Sequence, residues 1–284
     1  MKSRIIIAFI LTLVLLSISR KISERKSEFK TVDFLGKRIE HTTVTEKIGG
    51  GDIDLTAKIV TSESTPNYQI DLLYKISEGG YSSLPMISKP ENPQTYSAKI
   101  PSQPKGKRGY YYIKVRDNSG NEITLPEKVE TENPPFMIKF KGKVSPLILV
   151  LHVFSMFAAM FFFWMAFFYA WEVMKGRKFL NQLGLSSLMA LIFVFLGGFP
   201  LGFSVAYQTF GQAWGGIPYG WDITDNKTLI ILIFWLVLVW LLKGTIFKKD
   251  ENKNLTNPKK IAIWAIIFFI LTVLVYLIPH SIRI

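Results

Sequence analysis

The sequence predicts an all-β sandwich followed by an all-α transmembrane four-helix bundle, behind an N-terminal signal peptide or signal anchor. Three observations carry that expectation. Residues 147–171, LILVLHVFSMFAAMFFFWMAFFYAW, form a stretch of 25 residues without a charge. As a helix it rises roughly 37 Å, more than the ~30 Å of a bilayer core. Residues 36–135 show short alternating apolar runs broken by turn residues, and residues 1–19 pair a basic start with an apolar run.

In residues 1–19, Lys2 and Arg4 precede the apolar segment 5–16, and Ser17 and Ser19 sit at −3 and −1 of a possible cut before Arg20. This is the tripartite pattern of a signal peptide, and an uncleaved anchor fits it too. Both readings put residue 20 onward outside the cytoplasm. Residues 20–35 are charged and poor in apolar groups, and are expected to be a flexible lead.

The alternation in 36–135 is regular. Ile53, Leu55, Ala57 and Ile59 fall on one face, as do Tyr68, Ile70, Leu72, Tyr74 and Ile76. In GYYYIKVRD, Tyr110, Tyr112 and Lys114 face one way and Tyr111, Ile113 and Val115 the other. Period two at this spacing predicts antiparallel sheets with one wet side each. Turn chemistry separates the runs at 49–51, 78–80, 89–93, 103–106 and 117–121. The segments LLYKISEGGYSSLPM (72–86), YSAKIPSQPKGKRGYYYIKVRDNSGN (96–121) and ITLP (123–126) resemble immunoglobulin-like or fibronectin-type-III-like modules of bacterial exported proteins. The resemblance implies a sandwich fold and assigns no activity, because such sandwiches host many functions.

Residues 136–146 are expected to link the sandwich to the membrane domain, 147–284. Its helices are predicted at about 147–171, 183–206, 228–242 and 261–278. The net charge of +13 follows this topology. The segments 1–4, 172–178 and 243–260, placed in the cytoplasm, hold 11 basic and three acidic residues. The outer segments 207–227 and 279–284 hold two of each. That is the positive-inside rule, and it removes nucleic acid from the expected partners. The bilayer and membrane or periplasmic proteins remain. The absence of cysteine excludes disulfides, a lipoprotein anchor, c-type haem attachment and thiolate metal sites.

Two of the three histidines belong to the membrane half. His152 lies roughly 9 Å into its helix, and His280 follows the last helix. An ionisable group inside a span is a functional candidate. Met156 and Met160 follow His152 at helical spacing. Such a face has the chemistry to bind a b-type haem, or copper through imidazole and thioether, although methionines also simply fill cores. The loop 210–228, FGQAWGGIPYGWDITDNKT, alternates glycines with aromatics and carries Asp222 and Asp225, either ion ligands or helix caps, with Asp225 or Asn226 expected to cap the third membrane helix. The Gly-rich FLGGFPLG (195–202) allows close packing or a break in its helix. No nucleotide loop, hydrolase elbow, HExxH or paired-carboxylate pattern is present.

The segments LHVFSMF (151–157), WGGIPYGWDITDNKTL (214–229) and YLIPHS (276–281) resemble a type of bacterial polytopic membrane protein, and that resemblance implies no activity. LHV beside an exported sandwich is also similar to copper-resistance membrane proteins of the CopC/CopD type. This sequence departs from them in lacking their His- and Met-rich copper motif. The expected function is therefore a non-catalytic accessory, assembly or anchoring component of a membrane complex. The alternative is an electron-transfer or metal-handling protein using His152 and His280.

Overall fold

A computed structural model describes residues 2–24, 26–61 and 68–278. It divides the chain into a helical unit, formed by residues 1–24 with most of 144–284, and a β unit built on residues 25–143. Helix α1 (Lys2–Ser23) opens the chain, strands fill residues 29–141, and the remaining helices follow. The order is helix, β unit, helices. This corrects the expectation of a β sandwich followed by a four-helix bundle, because the N-terminal segment is a 22-residue helix packed into the helical unit.

Among the described residues the β unit has eleven strands, β1 (Phe29–Phe34), β2 (Lys37–Thr42), β3 (Glu46–Ile48), β4 (Ile53–Val60), β5 (Gln69–Ile76), β6 (Ser82–Pro85), β7 (Ile87–Lys89), β8 (Asn92–Ile100), β9 (Arg108–Arg116), β10 (Glu122–Leu125) and β11 (Phe136–Lys141). One sheet runs β1-β2-β4-β8-β7 and the other β3-β11-β9-β5-β6, with β10 also on β9. Pairing is antiparallel except between β3 and β11. The period-two faces meet in one core: Leu55, Leu72, Tyr111, Ile113 and Ile138 are all fully buried. Strand β1 lies within the segment expected to be a flexible lead; Val32 and Phe34 alternate into the core and give it an inner face.

His41 crosses this core. Its Nδ1–H donates to the Thr56 carbonyl at 2.7 Å, and its Nε2 accepts from the Tyr111 hydroxyl at 2.8 Å. The same hydroxyl accepts from the Val44 N–H at 3.1 Å. Every polar atom of the group has a partner, as burial requires. Burial holds the His41 pKa below its ordinary value and pushes that of Tyr111 up.

In the helical unit, α2 (Pro146–Met174) packs against α1, α3 (Leu180–Leu196) and α6 (Pro258–Leu277). A π-helical turn, Gly197–Leu201, joins α3 to α4 (Gly202–Phe210), and α5 (Ile223–Leu241) follows the loop. Among the described residues, five helices are long and apolar enough to cross a membrane: Lys2–Ser23, Pro146–Met174, Leu180–Phe210, Ile223–Leu241 and Pro258–Leu277. At the centre, Phe163 stacks on Trp235 at 4.4 Å, and the Trp235 indole N–H donates to Thr272 Oγ1 at 3.0 Å. Tyr169 and Tyr276 turn inward, whereas Trp171, Trp221 and Trp240 are exposed.

Helix α1 is fitted to its neighbours along its length. Ala8, Thr12, Leu15 and Ser19 recur at helical spacing and are buried. Ser19 Oγ donates to the Tyr276 carbonyl at 2.9 Å. Near the other end, Arg4 pairs with the buried carboxylate of Glu172 at 3.0 Å and lies 5.1 Å from the Phe179 ring centroid.

Candidate functional site

The candidate site is the break between α3 and α4. Pro200 has no N–H to give the helical ladder, and the π register widens the turn around it. Such a break leaves carbonyls in need of donors. His152 supplies one from α2: its Nδ1 lies 2.9 Å from the Gly197 oxygen. A carbonyl only accepts, so Nδ1 carries the proton and Nε2 keeps the lone pair.

The glycines at the break are required by space. A Cβ at Gly197 would stand 2.8 Å from Met156 Sδ and 3.1 Å from Ser155 Cβ. One at Gly198 would stand 2.5 Å from Thr228 Cγ2 of α5. FLGGFPLG is thus both a break and a point of close packing, where α2 and α5 close on the turn. Met156 is half-buried against the helical core and Met160 is fully buried in it. Both methionines pack in or against the helical core, and His152 is bound to backbone on its Nδ1 side. His280 lies outside the described residues. Among the described residues, no three His, Asp or Glu side chains gather into a group able to hold a metal ion.

The acidic candidates in the loop also serve the backbone. Asp222 caps α5, accepting the N–H groups of Thr224 at 2.8 Å and Asp225 at 3.1 Å. Capping was expected of Asp225 or Asn226, but α5 starts at Ile223, five residues before the predicted 228, so the cap moves with it. Asp225 Oδ2 instead accepts from the Gly215 N–H at 2.6 Å, and Asn226 Oδ1 from the Ile217 N–H at 2.8 Å. These bonds fold the loop 211–222 into a fixed turn. Trp214 closes it by donating to the Ile217 carbonyl at 3.1 Å.

Sequence reasoning missed three polar groups. Lys227, 7% exposed, donates to the Ile278 carbonyl at 2.8 Å and so ties the start of α5 to the end of α6. Its only signal was a lysine just before an apolar run. Glu172, the one acid between 147 and 178, pairs with both Arg4 and Arg177. His41 stands in the polar strand KRIEHT with no motif around it. A scan against protein-family models matches none of them to this chain, and no curated protein matches it.

Proposed function

We propose that this is an integral membrane protein of the bacterial inner membrane. In this reading it presents its β unit outside the cytoplasm and acts as a non-catalytic accessory, assembly or anchoring component of a membrane complex. One observation carries the reading: His152, Asp222 and Asp225 each hold backbone in place. That is the work of a scaffold. Five membrane-length helices support the membrane assignment, and the excess of basic residues in 1–4, 172–178 and 243–260 supports the sidedness. The pairing of α1 with α2 and α6 supports its retention as the first of five membrane helices. The proposed partners are the lipid bilayer and membrane or periplasmic proteins.

The experiment is an oxidised and dithionite-reduced absorption spectrum of the purified protein, with metal analysis on the same sample. A scaffold gives a featureless spectrum and no stoichiometric metal. The second reading, a haem b or copper protein, is favoured by one feature. His152 gives Nδ1–H to a carbonyl and leaves Nε2 as acceptor, the arrangement that ligating histidines use. A reduced α-band or stoichiometric copper, lost in His152→Ala, would establish that reading and overturn the first.

A further inference from the structure

An open groove of about 410 Å³ runs between α1 and α2. Ile5, Ile6 and Phe9 line one wall, and Phe154, Phe157 and Phe161 line the other. No polar side chain lines it. At the α1 end the groove begins one residue beyond Arg4. There Arg4, Lys175 and Arg177 act on the carboxylate of Glu172, and Lys2 and Lys178 lie within three residues of these in the chain. That carboxylate already engages Arg4 and Arg177, and it feels Lys175 as well. Lys178 and Lys2 are exposed, and Lys175 lies over the exposed Trp171 ring at 5.6 Å.

We propose that this groove and its basic rim form a binding site for one anionic phospholipid. The headgroup phosphate sits among the cations at the foot of α1 and the α2–α3 turn, and an acyl chain lies between α1 and α2. The dimensions agree. From Glu172 to Phe161 the helix rises roughly 16 Å, and to Phe157 roughly 22 Å, the range of an extended acyl chain. A transmembrane helix of a partner would cover the same apolar wall without engaging the exposed cations Lys175 and Lys178. Basic pockets between membrane helices are suited to anionic headgroups. The proposal rests on the reading of α1 and α2 as membrane-spanning.

The test is native mass spectrometry of the full-length detergent-solubilised protein, with phosphatidylglycerol and phosphatidylcholine of identical chains. Phosphatidylglycerol is expected to be retained preferentially, one molecule per chain. Lys175→Gln combined with Lys178→Gln is expected to lower that retention on the order of tenfold. Ala158→Leu, which fills the groove wall, is expected to remove bound lipid of either kind. Ile6→Trp fills it from an exposed position and serves where Ala158→Leu lowers the melting temperature. Equal retention of the two lipids overturns the proposal, as does unchanged retention in the lysine variant or the groove-filled protein. Carbonate extraction of native membranes separates the two failures. Release of the chain defeats the membrane reading itself, whereas a chain that stays in the pellet without lipid preference defeats only the lipid site.

Discussion

His152 Nδ1 lies 2.9 Å from the carbonyl oxygen of Gly197, so a side chain of α2 completes the hydrogen bonding of a broken helix beside it. The break and the histidine are two halves of one device. Each would be costly alone in an apolar surrounding, the histidine as a buried polar group and the carbonyl as an unpaired acceptor.

Removing the imidazole should therefore destabilise the helical unit. His152→Ala is expected to cost about 1–3 kcal/mol, the usual penalty for an orphaned buried partner. His152→Asn keeps a donor near the same place and should recover part of it. Thermal unfolding in detergent reads both, and a His152→Ala protein as stable as wild type would remove the structural role assigned here.

The packing at Gly198 makes a sharper test. Gly198→Ala sets a methyl group 2.5 Å from Thr228 Cγ2, so the melting temperature should fall. Thr228→Ser deletes that methyl and keeps the hydroxyl that donates to the Thr224 carbonyl. The double variant should regain most of the loss. Additive losses would mean that the two residues do not meet.

The β unit should weaken in mild acid. The folded state holds the His41 pKa below its ordinary value of 6.5, so the unfolded chain binds the proton more readily. Stability is fully present above about pH 6.5 and declines as pH falls through that value toward the folded pKa. Hydrogen exchange of β4 and β9 amides in the full chain, corrected for intrinsic rates, should show faster opening at pH 5.5 than at pH 7.5. Tyr111→Phe leaves His41 Nε2 and the Val44 N–H unpaired, and is expected to cost about 1–3 kcal/mol. Exchange independent of pH over this interval would show that His41 does not titrate against folding.

Helix α1 should persist in the mature protein. A tag fused ahead of Met1 is expected to stay with the purified chain, and Glu172→Gln, which leaves Arg4 and Arg177 without their carboxylate, should lower the melting temperature. A mature mass that begins at Arg20 would refute retention.

Some of this was legible in the sequence. The apolar length of 147–171 announced α2, and strict alternation announced β4, β5 and β9. The N-terminal segment reads as a signal peptide or an anchor because eleven apolar residues and Thr12, followed by Ser17 and Ser19, satisfy a cleavage pattern as well as a helix. What marks α1 as part of the fold is a stripe of Ala8, Thr12, Leu15 and Ser19, whose meaning depends on partners more than a hundred residues away. Strand β1 escaped notice because only Val32 and Phe34 alternate within a charged stretch. The parallel contact of β3 with β11 joins Glu46 to Lys139, and no local pattern encodes it. At the candidate site, His152 was found by its cost in an apolar span. Its partner was not, because the Gly197 carbonyl lies at a break in another helix. Asp222 was named as a ligand or a cap, and the early start of α5 makes it the cap.

In the proposed function the chain anchors and organises partners in the membrane. Native gel electrophoresis of gently solubilised membranes tests it most directly, comparing the full chain with one lacking residues 26–143. The full chain is expected to migrate in a discrete species larger than itself, and removing the β unit to shift or abolish that species. Migration of the full chain as a single protein, unchanged after mild crosslinking, would contradict it.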